Sequence, residues 1–174
     1  MLREEVIARL KDLDEEVSLL FPHADRIHII IVGGGALVLM EYISRSTHDI
    51  DVISASHMIQ DLMAQYDINT NVITYINNFP YNYEDRIKPV DGINGRIIDY
   101  YTASLEDIVI AKLYSHRDKD LADITTQKVL SDLDWDLLHH LATAEDEAFA
   151  NALNAYRYKE FLDSYYEYER RYRK

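Results

Sequence analysis

Three consecutive glycines and two aspartates one residue apart stand out in the first third of the chain. Gly33, Gly34 and Gly35 follow the apolar run IIIV, and Asp49 and Asp51 flank a single apolar residue. Glycines between a strand and a helix leave backbone N–H groups open to a phosphate, because no side chain obstructs them. Two carboxylates on one strand face suit a hard cation such as Mg²⁺ or Mn²⁺. Together the motifs predict a site for a nucleoside triphosphate and its metal ion.

Each motif alone has a simpler interpretation. The chain has 31 acidic residues, so acid-x-acid pairs are common, and Asp49 and Asp51 differ from the others in lying on a predicted strand. They could equally mark a solvated strand end with Arg45 as the counter-ion. The glycines could serve only to bring a helix close to a sheet. Their spacing matches neither the G-x-G-x-x-G dinucleotide fingerprint nor the P-loop.

A further polar group belongs to the helix LEDIVIAKLYS, which Ser104 is predicted to cap. If this helix continued, one face would carry Lys112, His116, Lys119 and Asp123. If Asp118 instead capped a new helix, Arg117 and Lys119 would lie in a turn. Lys112 is the better functional candidate in both cases, because it lies on the well-capped first helix.

The order of predicted elements indicates the fold class. Helices are predicted over residues 2–20, 36–43 and 56–66, and strands over residues 26–32, 48–53 and 95–101. Residues 67–95 are predicted to be mostly loop, and the chain after residue 104 is predicted to be helical. We therefore expect an α/β (α+β) protein with a mixed sheet core flanked by helices. The core would span residues 1–126, and a helical C-terminal region, residues 127–174, would pack on it.

The amino-acid composition argues against several classes of function. A net charge of −13 disfavours non-specific DNA binding. The chain has no cysteine, and the histidines lack ligand spacing, as the adjacent His139 and His140 illustrate. No apolar run reaches the length of a membrane span and the first residues are acidic, so we expect a cytoplasmic protein without a membrane partner.

The end of the chain has two interpretations. Phe161, Tyr165, Tyr168 and Tyr172 form one helical stripe, and the basic tip RRYRK follows. The simpler interpretation is a packed helix whose cations lie near the negative end of its dipole. The other is that residues 170–174 form the local basic patch that an RNA acceptor would need.

The stretches GGGAL, RSTHDIDV and SLEDIVIAKLYSHRDKDLADI together resemble the DNA-polymerase-β-like nucleotidyltransferase superfamily. The resemblance is greatest to the toxin-type nucleotidyltransferases of abortive-infection and toxin–antitoxin systems, and it covers about residues 29–124. It implies that the glycines hold the triphosphate, that Asp49 and Asp51 bind the metal and act in catalysis, and that Lys112 neutralises phosphate charge.

The resemblance also implies roles for residues outside these motifs. Arg45, Thr47, Arg117 and Lys119 are expected to contact the nucleotide, whereas Asp120 and Asp123 are expected to be partly structural. A third carboxylate usually comes from a later strand in this superfamily, and Asp99 is the natural candidate. The serine that often helps to hold phosphate in the first motif is replaced by glycine here.

Two functions follow as hypotheses. The first is a magnesium-dependent enzyme that moves a nucleoside monophosphate from a triphosphate to a hydroxyl of RNA, such as tRNA, of a protein or of a small molecule. By resemblance, such an enzyme could be a toxin with an antitoxin partner. The second is a nucleotide-binding or protein-interaction module of the same fold that has lost catalysis.

Overall fold

A computed structural model describes residues 1–54, 56–70, 76–144 and 155–174. Within them lies a five-stranded mixed sheet, in the order β3-β2-β1-β5-β4. The strands are β1 (Ile27–Ile31), β2 (Ile50–Ser54), β3 (Ile68–Asn69), β4 (Lys88–Pro89) and β5 (Ile98–Thr102). The central strand β1 pairs antiparallel with β2 and parallel with β5. β3 lies parallel to β2, and β4 lies antiparallel to β5.

Helices precede, connect and follow these strands. They are α1 (Arg3–Leu20), α2 (Gly33–Leu39), α3 (Gln60–Gln65), α4 (Leu105–Ser115), α5 (Asp118–Ile124), α6 (Gln127–Asp132), α7 (Trp135–Thr143) and α8 (Ala155–Tyr172). A short 3₁₀ helix spans Tyr83–Arg86. The mixed sheet with its helices and the helical C-terminal region confirm the predicted fold class. In the described residues, no helix has the length and apolar character that crossing a membrane requires.

Contacts within the chain define two compact units. The first comprises Met1–Val72 and Ile87–Ala103, and it holds the sheet with α1, α2 and α3. The second comprises Ile73–Arg86 and Ser104–Lys174 and holds the 3₁₀ helix and the later helices. These units are defined by proximity alone, so the division predicted at residue 126 stays a prediction.

The first unit is organised around β1 and α1. Ile29 and Ile31 of β1 are fully buried, and so are Val6, Leu10, Leu13 and Val17, which recur along α1 at helical spacing. Asp14, on the same helix, accepts hydrogen bonds from the backbone N–H groups of Arg96, Ile97 and Ile98, at 2.6, 2.9 and 2.8 Å. One buried carboxylate thus fixes the start of β5 to α1.

Aromatic residues build the core of the second unit. The rings of Tyr114 and Phe161 stack with centroids 4.2 Å apart. Phe161, Tyr165 and Tyr168 are buried, so three of the four residues of the predicted aromatic stripe of α8 pack inward, whereas Tyr172 is only half-buried. The tip is not wholly free, because Arg173 forms ion pairs with Glu169 and Asp136.

Several predicted helix boundaries differ from the structure; the helix predicted over residues 56–66, for example, spans only Gln60–Gln65. α2 begins at Gly33 and ends at Leu39, whereas the apolar pattern predicted residues 36–43. α4, which carries Lys112, ends at Ser115; the next residue, His116, has a left-handed φ of 52°, and α5 begins at Asp118. A new helix therefore begins here, as the second interpretation predicted, but Asp118 is its first residue rather than its cap, and Lys119 lies within the helix rather than in a turn.

Candidate nucleotide and cation site

The turn from β1 into α2 is built for glycine at its first position. Gly33 has a φ of +61°, a conformation that residues with a Cβ rarely adopt. A Cβ on Gly33 would also lie only 3.2 Å from Oδ2 of Asp51. The backbone conformation therefore favours glycine, and a Cβ here would force the Asp51 carboxylate beside the turn to shift.

The other two glycines have different surroundings. A Cβ on Gly34 would lie 3.4 Å from Nη2 of Arg45 and 3.6 Å from Oγ1 of Thr47. On Gly35 it would meet Ile31 and Ile50 at ordinary van der Waals distances. Gly34 thus belongs to a polar surface shared with two predicted nucleotide-binding side chains, whereas Gly35 lies among apolar side chains where the helix packs on the sheet.

Hydrogen bonds hold Thr47 in this position. Thr47 is buried, and its hydroxyl donates to the carbonyl of Asp49 at 2.9 Å. Its backbone N–H donates to the carbonyl of Met1 at 3.0 Å. Arg45 donates through Nη1 to the carbonyl of Ser46 at 3.1 Å. The segment between α2 and β2 is therefore anchored by its own backbone and by that of Met1, which keeps a cationic side chain beside the glycine turn.

The two aspartates of the D-x-D motif have unequal environments. Ile50 and Val52 of β2 are fully buried, so the strand alternation directs Asp51 to the other face. Oδ1 of Asp51 accepts a hydrogen bond from Nδ2 of Asn69 at 3.0 Å. Asp49 precedes the strand and is exposed. The Asp51 carboxylate is thus oriented, while the Asp49 carboxylate is open to solvent.

Asp99 does not join this pair, and its assignment as the third carboxylate of the site is wrong. The register places Asp99 beside His28, at the start of β5. Asp51 lies at the opposite end of β1, where its carbonyl accepts from the Val32 N–H. The separation along the strand is four residues, or about 13 Å.

The Asp99 carboxylate is also engaged elsewhere. Arg26 Nε donates to it at 2.8 Å, and His28 Nε2 lies 3.5 Å from its Oδ2. The hydrogen bond from Arg26 lowers the pKa of Asp99 below its ordinary value. Asp99 therefore anchors Arg26 near the start of β5.

In the second unit, Lys112 belongs to a buried ionic cluster. Its Nζ donates to Asp120 at 2.5 Å and to Asp123 at 2.9 Å, and all three side chains are buried. Ser115 and Arg117 also donate to Asp120, each at 2.6 Å. Burial alone would raise the pKa of Asp120, but these hydrogen bonds outweigh it and hold the pKa below its ordinary value.

The remaining predicted nucleotide-binding residues of this unit are exposed. Lys119 lies on the solvent side of α5. Arg117, whose side chain is 60 % exposed, borders a cavity of about 230 Å³. Leu121, Tyr168 and Arg171 line the same cavity. The structure therefore brings Arg117 together with a cation of the C-terminal tip.

Asp49 and Asp51 suit a magnesium or manganese ion only if other groups supply its remaining ligands. In the described ranges, no group of three or more His, Asp or Glu is placed to hold a metal. Mg²⁺ in nucleotide sites is typically bound by one or two carboxylates, with substrate phosphates and water as its other ligands. Asp49 and Asp51 match that donor set, so they suit an ion that arrives with a nucleotide.

Asn69 is the residue of this site that sequence reasoning missed. It lies on β3, a strand of only two residues within a segment predicted to be mostly loop. Two residues are too short to show a period-2 pattern, and Asn is uncommon in strands. Only the pairing of β3 with β2, in which Asn69 stands beside Asp51, identifies it.

The mixed sheet thus carries a glycine turn, with an oriented aspartate against it and an arginine beside it. Residues 8–173 match a family model described as a nucleotidyltransferase of unknown function, DUF6036. The chain belongs to this family. No curated protein and no solved structure matches it.

Proposed function

We propose that the protein is a magnesium-dependent nucleotidyltransferase. It would transfer a nucleoside monophosphate from a nucleoside triphosphate to an acceptor hydroxyl, with release of pyrophosphate. The observation that carries the proposal is the approach of Asp51 Oδ2 to Gly33. A metal-binding carboxylate and a phosphate-accessible backbone share one small surface there.

Each residue of the first unit has a distinct task in this proposal. The glycine turn receives the phosphates through backbone N–H groups, and Arg45 adds positive charge beside Gly34. Asp49 and Asp51 hold the magnesium ion. When bound, the ion would supply positive charge to the phosphates. In the transfer, the acceptor oxygen bonds to the α-phosphorus and the bond from this phosphorus to pyrophosphate breaks. The hydroxyl proton passes to solvent.

One alternative is a module of the same fold that binds nucleotide without turnover. Asp99 is paired with Arg26, so it supplies no third acid to the pair. Lys112 is already neutralised by Asp120 and Asp123. These two observations favour the alternative, in which nucleotide binding persists but transfer is absent.

The acceptor class stays open in the proposal. An RNA, protein or small-molecule hydroxyl satisfies the same chemistry, and a toxin role with an antitoxin partner rests on the sequence resemblance alone. The cytoplasm is the proposed compartment, since it supplies nucleoside triphosphates and magnesium.

The test is transfer of label from each of the four α-labelled ribonucleoside triphosphates. The purified protein is incubated with magnesium and either total RNA, a protein extract or a metabolite mixture, and pyrophosphate release is followed in parallel. The proposal expects label in one fraction, loss of label on chelation of the metal, and loss in the Asp49→Asn variant. Nucleotide binding without label transfer in any fraction would support the alternative.

A further inference from the structure

We infer that Asn69 is a positioning residue for the cation site, and that it holds the Asp51 carboxylate in the orientation that metal binding requires. The inference deepens the proposed function and rests on it. It concerns a residue that none of the site motifs contains.

The first observation behind this inference is the register of the sheet, which places Asn69 beside Asp51. β3 pairs with β2 in parallel, and Asn69 stands opposite Asp51 in that pairing. Residues directly opposite on neighbouring strands project from the same face. Asn69 is therefore beside Asp51 because of backbone pairing, and does not depend on a flexible loop to reach it.

The second observation is that the two oxygens of the Asp51 carboxylate have different neighbours. Oδ1 accepts from Nδ2 of Asn69, and Oδ2 lies against Gly33. A hydrogen bond to one oxygen restricts rotation about the Cβ–Cγ bond and so fixes where the other oxygen points. The amide thereby directs Oδ2 toward the turn where the phosphates of a nucleotide are proposed to bind.

The third observation is that the Asn69 side chain is a neutral amide that can donate a hydrogen bond. A carboxylate at position 69 would repel Asp51 in the absence of metal, whereas a neutral amide donates to it. Partners of this kind around metal-binding carboxylates typically change metal affinity by about 10–100-fold when they are removed. Asn69 therefore leaves the site with two carboxylates and orders one of them.

The experiment measures Mn²⁺ binding, using the electron paramagnetic resonance signal of the free ion, in the presence of a non-hydrolysable nucleoside triphosphate. Asn69→Ala should weaken Mn²⁺ binding by roughly 10–100-fold while changing the melting temperature little. Asn69→Asp adds a third carboxylate, so it should lower the melting temperature without metal and show a larger rise on Mn²⁺ addition. Asn94→Ala, at an exposed asparagine of the same unit, is the matched control and should bind Mn²⁺ normally.

The outcomes separate the two proposals. If Asp51→Asn loses Mn²⁺ binding and Asn69→Ala retains it fully, the positioning role of Asn69 is overturned while the metal assignment stands. If the unsubstituted protein binds no Mn²⁺ with nucleotide present, the proposed function fails and the role of Asn69 fails with it. If Asp51→Asn and Asn69→Ala both lose Mn²⁺ binding while Asn94→Ala binds the ion normally, the proposed function and the positioning role of Asn69 are both supported.

Discussion

Asp51 and Gly33 lie side by side at the junction of β1, β2 and α2, with Oδ2 of the aspartate 3.2 Å from the position that a Cβ on the glycine would take. This arrangement places a carboxylate suited to a cation beside a turn suited to phosphate. Four of the expected site residues, Gly33, Gly34, Arg45 and Thr47, lie with Asp51 at this place.

The first prediction concerns Gly33→Ala. The left-handed backbone costs alanine about 1–2 kcal/mol, and the new methyl group displaces the Asp51 carboxylate. We expect a matching fall in unfolding free energy and loss of the rise in melting temperature that triphosphate and magnesium produce. Gly92→Ala is the control, because Gly92 has a φ of +85° but no neighbour within 4 Å. It should lose similar stability and keep the ligand response; equal ligand responses in the two variants would contradict the site.

The second prediction separates Asp99 from the metal pair. Asp51→Asn should abolish the magnesium-dependent response to triphosphate and leave the fold intact. Asp99→Asn should leave that response unchanged, because Asp99 lies at the other end of β1 and binds Arg26. Calorimetric titration of both variants with nucleotide checks this expectation. A loss of binding in Asp99→Asn comparable to that in Asp51→Asn would restore Asp99 to the site.

The third prediction concerns Lys112→Ala. Removing this lysine leaves two buried carboxylates without their shared cation, so we expect a loss of about 3–5 kcal/mol in unfolding free energy. Arg117→Ala removes a largely exposed partner of Asp120 and should cost at most about 1 kcal/mol. Urea denaturation measures both. A Lys112→Ala variant of normal stability whose triphosphate binding is weakened would favour the phosphate role implied by the resemblance.

The fourth prediction is a dependence of stability on pH. The pKa of Asp120 is lower in the folded protein than its ordinary value near 3.9. Its contribution to stability is therefore complete above about pH 4 and is lost as the pH falls further, when the carboxylate takes up a proton. Asp120→Asn should flatten the fall in unfolding free energy on acidification. Asp118→Asn, at an exposed position on the same helix, should retain the steep fall, and identical curves for the two would refute the assignment.

The fifth prediction tests the basic tip. Because Arg173 is paired with Glu169 and Asp136, truncation of residues 170–174 would remove a structural interaction as well as charge. The double variant Arg170→Gln and Arg171→Gln instead removes two charges and leaves the ion pairs of Arg173 in place, although it also removes the contact of Arg171 with the Tyr172 ring. If RNA is the acceptor, its affinity should fall, and the slope of log K against log salt should decrease by about one for each RNA phosphate that the variant no longer neutralises. Arg173→Gln should show the same slope of log K against log salt as the unsubstituted protein. An unchanged slope in the double variant would indicate that the basic tip has a structural role and does not bind RNA.

The sequence predicted the local elements of the site better than their arrangement. The alternation around Asp51 and the glycines after β1 are contained in a few adjacent residues, so they identified both motifs. The pairing of β5 with β1 joins residues about 70 positions apart, and no local pattern tells which end of β1 Asp99 will face. Asn69 was missed for a related reason, since its two-residue strand is defined by its neighbour β2 rather than by its own composition.

Lys112 shows a different limit. Its position on a capped helix was predicted, but the partner of its ammonium group depends on the turn at His116, which reverses the chain and brings Asp120 and Asp123 back to it. The left-handed conformation of a histidine has no dependable sequence signal. The sequence pattern therefore could not decide whether Lys112 binds phosphate or stabilises the fold. The third prediction tests which of the two roles it has.

The pairing of β1 with β5 also sets an order for folding on the ribosome. β1 can join β2 as soon as residue 54 has emerged, but its other edge stays unpaired until Thr102 follows. At about 5–20 residues per second, the 71 residues from Ile31 to Thr102 take roughly 4 to 14 s to synthesise. During that interval the most apolar strand of the sheet presents an open edge, which is a template for pairing with other chains. The edge of β1 therefore stays open to such pairing until β5 has been synthesised and Asp14 can fix its start.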